Sequence, residues 1–121
     1  MKAKKNSIAI ILGLCMTIVF GQTKMNPQEM ADYQTDIMVK ELPLNETKRE
    51  DVAKINIKYA EKIVVLMEAD GSMFGKIGEM KGIKKSKHAE LEKILSEAQM
   101  EKLKDELEPK FRKHFKKQMN P

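Results

Sequence analysis

His88 and Glu92 are the two residues whose types and spacing most readily suggest chemistry. Side chains four apart on a helix share a face, so one imidazole and one carboxylate there could contact the same metal ion. Methionine thioethers suit copper(I), and the chain has 10 methionines. They are scattered, however, with no Met-x-x-Met run and no pairing with histidine, as expected of residues that fill cores and line adaptable surfaces. No metal site is therefore expected, and His88 with Glu92 is the one candidate. His114 is the other histidine, and the single cysteine, Cys15, lies in the N-terminal apolar run. Glu90, Glu92, Glu97, Glu101, Asp105, Glu106 and Glu108 alternate with lysines, which reads as ion pairing along a solvated helix face rather than as an acid–base pair. The expectation is a protein that is not an enzyme, with no catalytic residue and no cofactor.

Charge and apolar surface offer a different kind of site. Lys81, Lys84, Lys85 and Lys87 form one basic cluster, and Lys110, Arg112, Lys113, Lys116 and Lys117 form another. Met73, Phe74, Ile77 and Met80 lie beside the first cluster, and Phe111 and Phe115 lie within the second. Lysine attracts anions at long range, and methionine and phenylalanine offer a deformable apolar surface. Met73, Phe74, Ile77, Met80, Lys81, Lys84, Lys85, Lys87, Phe111 and Phe115 are the candidates for capturing another macromolecule. Nucleic acid is not expected as that partner, because the chain carries an export signal. Acidic unfolded polypeptides, a sensor domain or an anionic membrane surface fit better.

The export signal is read from residues 1–21. Lys2, Lys4 and Lys5 form a basic start, and Ile8 to Phe20 is an apolar run too short to span a bilayer. Val19-Phe20-Gly21 suits signal peptidase, which predicts cleavage between Gly21 and Gln22 and a periplasmic protein. The chain as a whole carries +5. Three of its lysines lie in the signal, so residues 22–121 have only a small positive excess. That segment is read as one helical domain, rich in Lys, Glu, Leu, Ile and Met and without tryptophan.

Four helices are expected in it. Asn26-Pro27 is a cap followed by a proline at the first helical position, and Pro43 ends the helix that begins there. Asn45 caps a second helix carrying Val52, Ile55, Tyr59, Ile63 and Leu66. Gly71, Gly75, Gly78 and Gly82 recur every three or four residues, and glycine disfavours helix. A loop or frayed start is therefore expected there, with a third helix from Ile83 to Leu95. The fourth should begin at Glu97, and Pro109 should kink it or end it early.

Leu95-Ser96-Glu97-Ala98-Gln99 turns the chain without glycine. Ser96 and Gln99 have the spacing of a capping box, and Leu95 with Met100 that of a hydrophobic staple. Leu44-Asn45-Glu46-Thr47-Lys48 stands in the same place before the second helix, with Lys48 where the other copy has Gln99. A leucine, a capping residue, two variable positions and a glutamine, occurring twice in a small exported helical protein, resembles the LTXXQ-motif family of periplasmic stress proteins, the Spy/CpxP-like proteins. The resemblance covers about residues 28–108. It implies helices folded as long hairpins and an elongated, curved antiparallel homodimer. It also implies ATP-independent, chaperone-like binding of unfolded or misfolded proteins through basic and apolar surface. The family also contains stress regulators that dock on a membrane sensor, and metal-responsive members. The motif itself is structural there.

Overall fold

Three side chains start three of the helices, and each satisfies backbone donors that a helix leaves open at its first turn. A computed structural model describes residues 26–119; the expected signal sequence, residues 1–21, and its expected cleavage point lie outside the described residues. Asn26 Oδ1 accepts from the N–H groups of Gln28 (2.9 Å) and Glu29 (3.2 Å) and opens α1, Pro27–Glu41. Asn45 Oδ1 accepts from the Lys48 N–H at 2.8 Å and opens α2, Glu46–Glu68. Ser72 Oγ accepts from the Gly75 N–H at 3.2 Å and opens α3, Met73–Leu91. A reciprocal box opens α4. Ser96 Oγ accepts from the Gln99 N–H at 3.1 Å, while Gln99 Oε1 accepts from the Ser96 N–H at 2.9 Å. α4 is α-helical over Glu97–Lys102, π-helical over Leu103–Leu107 and α-helical again over Glu108–Met119.

The helices alternate in direction as two hairpins, α1–α2 and α3–α4, whose capped turns lie at the same end of the bundle. Leu42 and Leu95, from the two turns, are buried in one cluster with Met38, Val52, Leu91, Met100, Leu103, Leu107 and Phe111, and Leu44 packs against it. A second, smaller core joins Met30 and Ala31 of α1 to Ala60 and Val64 of α2. Asn56 is fully buried between these two cores. Its Nδ2 donates to Thr35 Oγ1 at 2.9 Å and approaches Met38 Sδ at 3.6 Å, which pins the register of α1 on α2. The expected all-α fold of four helices in hairpins is what the chain adopts, with no strand among the described residues.

Two expectations are corrected. The glycine-rich segment is not a loop: helix begins at Met73, and it ends at Leu91 rather than continuing to Leu95. An added Cβ at Gly78 or Gly82 would meet nothing within 4 Å. Those glycines occupy an open face, while Lys76, Met80 and Ile83, each half-buried, face the rest of the bundle. Tertiary packing of that face outweighs the unfavourable propensity. At the far end the Lys93 and Ile94 N–H groups bond to Glu90 and Leu91 carbonyls, tightening the last turn into the approach to Ser96.

Pro109, in turn, does not end α4. Proline removes one helical donor and crowds the carbonyl four residues back. The π segment just before it widens the helix, with the Glu108 N–H bonded to the Leu103 carbonyl, and the chain passes through the proline without stopping.

Candidate groove between the helices

Helical spacing along α3 builds one wall of a groove. Met73, Lys76, Ile77, Met80, Ile83, Lys84 and Lys87 follow one another at intervals of three or one, so they line one side of the helix. Met30 and Gln34 come to the groove from α1, Ile63 and Met67 from α2, and Glu108, Phe111, Arg112, Phe115 and Lys116 from α4. The space enclosed is about 640 Å³. Its bed is methionine, isoleucine and phenylalanine. Lys76, Lys81, Lys84, Lys87, Arg112 and Lys116 stand along it, against the single carboxylate of Glu108.

Eight of the predicted contact residues therefore come together: Met73, Ile77, Met80, Lys81, Lys84, Lys87, Phe111 and Phe115. Phe74 and Lys85 do not line the groove, and both are exposed. Phe111 is mostly core, 5% exposed, and only closes the groove from below. Tyr33 holds it and Phe115 edge-on, with ring centroids 6.0 and 5.7 Å apart, and stacks on His114 at 3.8 Å. The capping residues Leu44, Asn45, Lys48, Leu95, Ser96 and Gln99 lie at the capped end, and none of them lines the groove. Lys48 gives its cap only a backbone donor. An ammonium has no acceptor with which to complete a box as Gln99 does.

The electrostatics centre on the α3–α4 contact. Glu108 Oε2 lies 2.5 Å from His88 Nε2, and its Oε1 lies 3.6 Å from Lys84 Nζ. Lys87 Nζ donates to Gln34 Oε1 at 2.9 Å. Burial pushes the Lys87 ammonium down to about 8, and the Glu108 charge resists that shift. On the α2–α3 side, Glu90 pairs with Lys58 at 2.6 Å and accepts from the Tyr59 hydroxyl. Those two hydrogen bonds, Lys58 first, hold the Glu90 carboxyl below its ordinary value; the bond to Glu90 and burial push the Tyr59 phenol up to about 12.

The candidate metal pair is drawn apart. His88 is taken by Glu108, while Glu92 faces Lys104 of α4 at 3.9 Å. Among the described residues no group of three or more His, Cys, Asp or Glu is placed to hold an ion.

Met30, Gln34, Ile63, Met67, Lys76, Ile83, Glu108, Arg112 and Lys116 are groove residues that the sequence reading missed. A signal for the α3 members was present. Extending the helical stripe of Ile83 and Lys87 backwards through the glycines leads to Met80, Lys76 and Met73. The residues from α1, α2 and α4 have no such signal, because they meet α3 only in the folded chain.

The family described as a domain of unknown function, DUF4890, matches residues 20–103. No curated protein and no solved structure matches the chain. The matched span contains both capped turns and the α3 wall of the groove, and ends before the Glu108–Lys116 wall. With most of its length matched, this chain belongs to the DUF4890 family.

Proposed function

We propose that this protein is a periplasmic, ATP-independent chaperone-like protein that holds unfolded or misfolded exported polypeptides in the α3–α4 groove and works as a homodimer. The observation that carries the reading is the groove's make-up, a methionine-rich apolar bed flanked by six cations and one carboxylate. The lysines attract acidic segments over about 10 Å at moderate ionic strength. The unbranched methionines then adapt to whatever apolar side chains arrive. No bond is made or broken, and release follows from the weakness of each contact. Export and dimerisation rest on the signal sequence and on the resemblance to the LTXXQ-motif proteins. The metal-sensor alternative loses support from the separate partners of His88 and Glu92.

The test is an aggregation assay with a chemically denatured acidic client. The unaltered protein should keep the client soluble without nucleotide, and less well as salt rises. Met80→Asp, placed in the groove, should lose most of that protection while keeping its helical circular dichroism. Poor protection by the unaltered protein, together with tight binding to one membrane sensor, would establish the regulator reading instead.

A further inference from the structure

Phe74 and Lys85, the two candidates outside the groove, belong to a second surface. With 3.6 residues per turn, Met73, Phe74, Ile77, Lys81, Lys84 and Lys85 fall within about 120° of the α3 circumference. The apolar members occupy the first two turns and the lysines the third and fourth. Phe74 is 87% exposed, Met73 57% and Ile77 47%. Glu79, the only carboxylate in α3 before Glu90, lies on the side lined jointly with α2.

This face sits at a projecting end. Asn56 lies opposite Thr35, and Val64 packs with Met30, so the last turn of α2 and the first of α3 reach past the start of α1. Val65, on that last turn of α2, is 68% exposed. Glu68 and Asp70 lie on the preceding turn, but the α3 face that the exposed phenylalanine heads carries lysines and no carboxylate, which matches an anionic bilayer surface in charge. Laid along a bilayer on this sector, α3 presents Phe74 and the three lysines together, whereas standing upright it would set Lys84 and Lys85 about 15 Å behind Phe74. Interfacial apolar groups enter about 5–10 Å into the headgroup–acyl boundary, and cations on the same side of the helix then lie among the phosphates.

We infer that the α2–α3 tip docks this protein on anionic lipid bilayers, with Met73, Phe74 and Ile77 entering the acyl boundary and Lys81, Lys84 and Lys85 among the phosphates. The contact is peripheral: among the described residues no helix is long and apolar enough to cross a membrane. It shares Met73, Ile77, Lys81 and Lys84 with the rim of the groove, and lipid binding is read without client, so it stands whether or not the groove holds any.

The chain has no tryptophan, so Phe74→Trp provides a single fluorophore at the tip. The full-length variant is mixed with vesicles of phosphatidylcholine alone or with added phosphatidylglycerol. The emission should shift to the blue with the anionic vesicles only, and shift back as salt is added. Changing Lys81, Lys84 or Lys85 to Gln should weaken the partition about fivefold each. Lys93→Trp, at the capped end, should show no shift; the lysine variants control for anchoring by the N-terminal apolar segment, which would leave their partition unchanged. The inference is overturned by an unshifted Phe74→Trp emission or by equal shifts at both positions. It is also overturned by a shift that grows with protein concentration in the absence of vesicles, which would mean that a second copy covers the tip.

Discussion

His88 on α3 and Glu108 on α4 meet at 2.5 Å, each with a side chain only 15% exposed. Glu108 is the first residue after the π segment, and Pro109 follows it. One extra residue in a helical turn rotates everything beyond it by about 100°. The π segment thus does two things at once. It accommodates the proline, and it sets the angle at which Glu108 meets His88 and Phe111 and Phe115 meet Tyr33.

Removing the Glu108 charge should weaken this junction. Hydrogen bonds to charged groups contribute about 1.5–3 kcal/mol. Glu108→Gln keeps the shape but leaves His88 and Lys84 facing a neutral amide. A loss of about 1–2 kcal/mol is expected in a urea titration, with Glu106→Gln, at an exposed position, as the unaffected control.

The two capped turns should respond differently. Ser96→Ala removes the acceptor for the Gln99 N–H and Gln99→Ala the acceptor for the Ser96 N–H, so only the double variant breaks both bonds of the box, whereas Asn45→Ala breaks the single bond of its cap. Cap loss typically costs about 1 kcal/mol. Ser96→Ala and Asn45→Ala should therefore each lower the unfolding free energy by about that much, and the Ser96→Ala, Gln99→Ala double variant by more, each read as a shift in urea midpoint.

The glycines divide into two groups. Gly78 and Gly82 lie in the helix with open space around them, so alanine there should stabilise by about 0.5–1 kcal/mol each. Gly71 has φ +125°, a conformation that L side chains rarely adopt, and Gly71→Ala should destabilise. Thermal melts of the three variants check this; destabilisation by the first two would contradict a helix through that segment.

Lys87 and Tyr59 give stability opposite slopes in alkali. Lys87 titrates at about 8 when folded against 10.5 ordinarily, so the unfolded chain holds more protons between those values and stability rises with pH across them. Tyr59 titrates at about 12 when folded against 10.0 ordinarily, so its contribution is complete below pH 10.0 and is lost as pH climbs through about 12. Urea midpoints measured from neutral pH upward should peak near pH 10, where the two windows meet. Lys87→Met should remove the rise and Tyr59→Phe the fall.

Local chemistry was legible in the sequence. Asn26, Asn45, Ser96 and Gln99 act on donors two or three residues away, so their spacing alone settles where three helices begin. The apolar stripes on either side of Leu44 and Leu95 likewise imply two hairpins, because each stripe needs a partner. What lay beyond reach depends on contacts between helices. Propensity argues against helix at Gly75, Gly78 and Gly82. Only the packing of Met80 and Ile83 against the rest of the bundle supplies the apolar burial that outweighs it. The partner of His88 was sought four residues along its own helix and stands twenty residues on, at Glu108. The groove is tertiary for the same reason. Met30, Met67, Met80 and Phe115 are far apart in the chain and become one surface only when the four helices have chosen their neighbours and α4 has taken its extra π residue.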